Sequence, residues 1–141
     1  MFMILNWLKS SVKTKTLGQW GEEVAQEEYK KRGYKIIAAN FFNKKGLRLG
    51  EIDFIATDKS SIVFVEVKTR ASVENKFGTG AEAVNQFKQI KILKAVKVFL
   101  QKNENYRNLR PQIDVCEVLA PGVDKAPESV KIISNAVEDW N

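Results

Sequence analysis

Residues 50–70, GEIDFIATDKSSIVFVEVKTR, decide how the rest of this 141-residue chain is read. Two apolar runs flank the polar tetrapeptide Asp58-Lys59-Ser60-Ser61, which predicts two strands joined by a short turn. Each run carries charge where a buried strand should have none. Asp53 stands between Ile52 and Phe54, and Glu66 and Lys68 flank Val67. A charge buried alone is costly, so such residues mark either a paired network or a site that takes a cation.

The register follows by counting. If Lys59 and Ser60 form a two-residue turn, Asp58 pairs with Ser61 and Thr57 with Ile62, and the count reaches Asp53 opposite Glu66. Directly opposed residues on one sheet face have Cβ atoms roughly 4.5–5.5 Å apart, where like charges repel. A divalent cation between the carboxylates removes that repulsion, and hard cations such as Mg²⁺ prefer oxygen ligands. Lys68, two residues past Glu66, projects from the same face. A longer loop, or a slip of one residue, sends Glu66 to the other face instead.

Composition narrows the chemistry. A 44% apolar content in 141 residues supports one soluble domain with a real core. The formal charge of +6 favours a polyanionic partner, although basic surfaces also serve solubility. One cysteine, Cys116, excludes an internal disulfide and a cysteine-based zinc cluster. The absence of histidine excludes zinc proteases and Ser-His-Asp hydrolases. Proton transfer in a hydrolase of this composition runs through carboxylates, lysine or a metal ion. The opening MFMILNWLK is too short to span a bilayer and lacks a basic segment ahead of its apolar run, so residues 1–15 read as a lead that packs on the domain or a partner. Cytoplasmic residence follows by default, with one domain over residues 16–141.

Along the chain, residues 16–32 read as a helix with a Thr16/Gln19 capping box and a Gly33 stop. Gly18, Gly21 and Ala25 keep one side of it small, so another backbone can come close. Glu22 sits beside that side, and it also fits an ordinary acid near a helix N-terminus. Residues 34–39 form a strand, and residues 40–49 a loop with Lys44, Lys45 and Arg48, which either contacts phosphate or is simply solvated. After the hairpin, Thr79 with Glu82 opens a helix to about Lys102, with a core stripe at Ala81, Val84, Phe87, Ile90, Leu93, Val96 and Phe99. Residues 112–119 and 130–134 alternate as two last strands; Asp114 is a weaker candidate acid, Cys116 a buried small hydrophobe, and Trp140 a packing residue. The order αβββαββ gives an α/β fold, a mixed central sheet flanked by helices.

The pattern Asp53…Glu66-Val67-Lys68, with an acid on a preceding helix, resembles the PD-(D/E)XK nuclease superfamily and its restriction-endonuclease-like core. More closely, G-x-W-G-E-E-x-A from Gly18 to Ala25, then GEIDFIA, VFVEVKTR and RPQIDVCEVL, look like the YraN-like family of predicted endonuclease-like bacterial proteins. The resemblance implies that Asp53 and Glu66 ligate Mg²⁺ or Mn²⁺, that Lys68 serves the attacking water and the phosphate, and that Glu22 completes the acidic cluster, as in archaeal Holliday-junction resolvases. It makes Thr69, Arg70 and Lys88 secondary phosphate contacts, DNA a partner ahead of RNA, and a homodimer the form in which junction-cutting relatives work. The proline of the "PD" motif is missing, since Ile52 precedes Asp53. Two functions therefore fit: a metal-dependent nuclease acting on DNA, branched or repair intermediates included, and a nucleic-acid-binding module that keeps the fold without the chemistry.

Overall fold

A capping box opens the first helix. Thr16 Oγ1 accepts from Gln19 N at 3.1 Å and Gln19 Oε1 accepts from Thr16 N at 2.9 Å, satisfying donors that a helix start leaves orphaned. Helix α1 (Leu17–Lys31) stops at Gly33, whose φ of 93° lies in the left-handed region glycine tolerates. The computed structural model describes residues 15–39, 52–71, 86–123 and 125–137. Outside them lie the apolar lead over 1–14, the loop carrying Lys44, Lys45 and Arg48, the capping pattern of Thr79 with Glu82, and Trp140.

After α1 come β1 (Lys35–Ala39), β2 (Phe54–Thr57), β3 (Ser61–Ala71), α2 (Gln86–Lys102), a 3₁₀ turn at Glu104–Tyr106, β4 (Arg110–Ala120) and β5 (Ser129–Ile133). The five strands form one sheet in sequence order. All neighbours are antiparallel except β3 and β4, and α2 supplies the crossover that parallel neighbours require. This is the expected order and the expected mixed sheet.

Helices cover both faces. Trp20, Ala25 and Tyr29 of α1 pack on Phe54, Ala56, Val63, Val65, Cys116 and Val118. Ile92, Ala95 and Val96 of α2 pack on Ile55, Ile62, Phe64, Ile113 and Val115. Successive strand residues alternate between the two cores, so β3 is buried without a break from Ser61 to Glu66. That double cover is why its sequence is continuously apolar rather than alternating. Cys116 is fully buried, and burial pushes its thiol up to about 12; it packs as a small hydrophobe.

The β2–β3 turn is the two-residue one. Asp58 N donates to Ser61 O at 3.1 Å, and Thr57 pairs with Ile62. Asp58 Oδ1 accepts from Ser60 N, Ser61 N and Ser61 Oγ at 2.9, 2.8 and 2.8 Å, an Asx-type turn that excludes the longer loop. These bonds hold the Asp58 carboxyl below the usual carboxylate range. Asp58→Ala is expected to cost about 1 kcal/mol in urea denaturation.

The α2 stripe needs correction. Ile90, expected in the core, is 59% exposed, while Ile92 and Ala95, not expected there, are buried. A strict i+3 series turns backwards around a helix of 3.6 residues per turn. The face that meets the sheet follows i, i+3, i+4 instead, through Ile92, Ala95, Val96 and Phe99. No helix of the described residues is long and apolar enough to cross a membrane.

Candidate functional site

The count that brought Asp53 opposite Glu66 holds as far as Phe54↔Val65. There β2 leaves the ladder. Asp53 N donates to Val65 O at 2.9 Å, one place short of squarely facing Glu66, and Asp53 Oδ2 accepts from Val67 N at 2.7 Å. The carboxylate thus occupies the place on the edge of β3 that a strand carbonyl would fill. It lies at the entry to β2, half-buried.

Helix α1 reaches this point because Gly21 has no side chain. A Cβ there would overlap Thr69 Oγ1 and come within 2.9 Å of Thr69 Cβ and Cγ2. The small side foreseen for this helix therefore touches β3 at Thr69, which brings the next residue, Glu22, to Asp53. There the two carboxyls act on each other's ionisation, the Glu22 charge helping to raise Asp53. Gly21→Ala is expected to push α1 off β3, lowering stability by about 1–3 kcal/mol in thermal or urea melts. In a double-mutant cycle, Thr69→Ala should recover part of that loss.

Glu66 is 3% exposed, among the least accessible charged groups of the described residues. Its Oε1 pairs with Lys68 Nζ at 3.0 Å. Both project to the α2 face, as the period of two requires. Burial first, then the charge of Glu22 and of Glu66, push the Asp53 carboxyl up to about 7 against the lowering effect of the Val67 N–H. Burial likewise raises Glu22, with the neighbouring Asp53 acting against it.

The donors gathered here are carboxylate oxygens, which suit a hard cation such as Mg²⁺ or Mn²⁺ rather than a soft one. Among the described residues no three His, Cys, Asp or Glu side chains stand close enough to hold a metal together. Asp53 and Glu66 are the two carboxylates that would hold such an ion.

The other expected site residues divide. Arg70 is exposed and shares the parity of Lys68 along β3, whereas Thr69 turns to α1 and packs on Gly21. Lys88 belongs to α2, with its side chain outside the described residues, as are Lys44, Lys45 and Arg48. Asp114 lies away from the cluster, on the α1 face. It accepts from Tyr29 Oη at 2.7 Å, Gln112 Nε2 at 2.8 Å and Asn135 N at 3.2 Å, so its buried charge is satisfied structurally. Burial and the Asp114 charge push the Tyr29 hydroxyl far above its ordinary value.

One acid escaped the sequence reading. Glu117 of β4 is 3% exposed and pairs in register with Lys68. It was findable by the test applied to Asp53 and Glu66, an acid inside a strand buried on both faces, had that test been carried into QIDVCEVL.

With the geometry in place, comparison with known proteins adds the lineage. The model of the uncharacterised protein family UPF0102 matches residues 21–118, a span that holds all four residues of the cluster. A UPF0102 protein of Caldanaerobacter subterraneus is 43% identical over 125 residues, covering 89% of this chain and 97% of its own. One from Carboxydothermus hydrogenoformans is 41% identical over 98 residues, covering 70% and 77%. One from Clostridium botulinum is 39% identical over 124 residues, covering 88% and 95%. The chain belongs to the UPF0102 family.

Proposed function

We propose that this chain is a metal-dependent nuclease of the PD-(D/E)XK type that hydrolyses phosphodiester bonds in DNA. The observation that carries the reading is the meeting of Glu22 from α1, Asp53 from the entry to β2, and Glu66 with Lys68 from β3 at one rim of the sheet. Asp53 and Glu66 are the residues that would hold Mg²⁺ or Mn²⁺. Such an ion supplies charge relief at the phosphate and lowers the pKa of water near it. Glu22 would complete the acidic set beside Asp53, where its charge raises the Asp53 carboxyl. Lys68 Nζ puts positive charge beside the scissile phosphate and can pass a proton. Arg70, Lys44, Lys45, Arg48 and Lys88 are phosphate contacts in this reading, which position DNA without reading its sequence.

The test is cleavage by the purified full-length protein of supercoiled, branched and single-stranded DNA, and of RNA, with Mg²⁺ or Mn²⁺. Absence of product from all four substrates ends the nuclease reading. A second reading is favoured by one specific observation: the described residues hold no preassembled three-ligand metal cluster. It is a nucleic-acid-binding module that keeps the fold without the chemistry. That module would bind with a salt slope set by its phosphate contacts, and Asp53→Ala would leave the slope unchanged. Sedimentation of the free and DNA-bound protein tests the paired form in which junction-cutting relatives act.

A further inference from the structure

Lys68 and Glu117 are register partners on the parallel strands β3 and β4, so their Cα atoms stand about 4.8 Å apart. They share a face. Glu117 alternates with Ile113 and Val115, which lie in the core under α2, and Lys68 alternates with Phe64 of that same core. Glu117 is 3% exposed, and its Oε2 is buried and accepts no hydrogen bond among the described residues. A buried carboxylate oxygen left in this state costs free energy that one donor would recover. Two lysines stand in register with Glu117, Lys68 on β3 and Lys131 on β5; the ammonium of Lys68 is engaged with Glu66 Oε1 at 3.0 Å. Lys131, beside Glu117 on β5, is exposed.

We propose that Glu117 is the second counter-ion of Lys68, receiving its ammonium when Asp53 and Glu66 take a divalent cation; this rests on the reading of those two carboxylates given above. A Glu66 oxygen committed to a cation is a poor acceptor for an ammonium, and the two positive charges repel at such range. The lysine stem is long and flexible, with three rotatable donors, so Nζ can leave Glu66 and turn to its neighbour on β4. The move satisfies the buried oxygen of Glu117, keeps Lys68 charged and leaves it beside the phosphate position. Glu117 is thus a positioning residue, acting on the reaction through Lys68.

The experiment is Mn²⁺ binding to the full chain without nucleic acid, by calorimetry or by the paramagnetic resonance of free Mn²⁺, with circular dichroism melts to establish folding. Glu117→Gln, which keeps shape and removes charge, is expected to weaken Mn²⁺ binding about tenfold, and Glu117→Ala by a similar factor. In a Lys68→Met background, Glu117→Gln is expected to change Mn²⁺ affinity less than twofold, because there is no ammonium to receive. Equal Mn²⁺ affinity in wild type and Glu117→Gln overturns the proposal while leaving the cation reading intact. An equal loss with and without Lys68 overturns it too, since Glu117 then acts on the cation directly. A wild type that binds no Mn²⁺ overturns the cation reading itself, and this proposal with it.

Discussion

Asp53→Ala and Glu66→Ala are each expected to lower Mg²⁺- or Mn²⁺-dependent DNA cleavage by at least about 10²-fold, the scale on which removal of one preorganised charge-stabilising group acts. The two losses have different physical content. Without Asp53, the Val67 N–H on the rim of β3 loses its acceptor and Glu22 loses its partner. Without Glu66, Lys68 loses the carboxylate it pairs with, and a half-buried ammonium that loses its ion-pair partner is destabilising. Alanine at Glu66 therefore confounds chemistry with folding. Asp53→Asn and Glu66→Gln separate them, because an amide oxygen still accepts a hydrogen bond and brings no charge to a cation. Cleavage measured under single-turnover conditions should fall in both amide variants while their melting temperatures stay close to or above that of the wild type. An Asp53→Asn protein that cuts at the wild-type rate with the same metal requirement would sink the catalytic assignment of the rim.

The second large effect is a pH dependence of stability in chelator. Asp53 ionises at about 7 in the folded chain, against an ordinary value of 3.8. The folded state therefore binds more protons than the unfolded state between these limits, and stability falls as pH rises through that window. The contribution is fully present below about pH 4 and is gone above the folded-state value. A difference of that size is worth at most about 4 kcal/mol; the interaction with Glu22 and partial solvent access bring the expected loss between pH 5 and pH 8 to about 2 kcal/mol. Asp53→Asn should flatten the profile and be the more stable protein at pH 8. Urea denaturation of both proteins across pH 5–8 checks this, and a wild-type profile that rises with pH while the Asn variant stays flat contradicts the sign. Added Mg²⁺ should recover the lost stability in the wild type alone, by mass action on the folded state.

Local signals in the chain were enough for the elements. The Thr16/Gln19 box, the Gly33 stop and the two-residue turn after Asp58 are short-range chemistry, and each forms as its residues require. The acids inside apolar strands were legible for the same reason: burial on both faces of a central strand leaves an ionised group conspicuous. The small side of α1 was legible as well, and only its partner, Thr69, was not. Spacing misled where it was taken at a period shorter than the helix's own. The i+3 stripe of α2 put Ile90 inside, although a helix turns by 100° per residue and cannot keep that row on one face.

Periodicity and turn chemistry, which act over a few residues, therefore sufficed for the order αβββαββ, for the hairpin register, and for the placing of Glu66 and Lys68 on one face. Contacts between residues far apart in the chain needed the assembled sheet. Asp53 leaves the ladder and swings its carboxylate onto the Val67 N–H, which no count along a strand anticipates. Glu22 meets Asp53 because a missing side chain at Gly21 lets α1 settle on β3. Asp114, an acid in a strand like the others, is spent on Tyr29, Gln112 and Asn135. Glu117 comes beside Lys68 because β4 lies parallel to β3 in one particular register, and a parallel register between strands separated by a helix is decided by the packing of both faces at once.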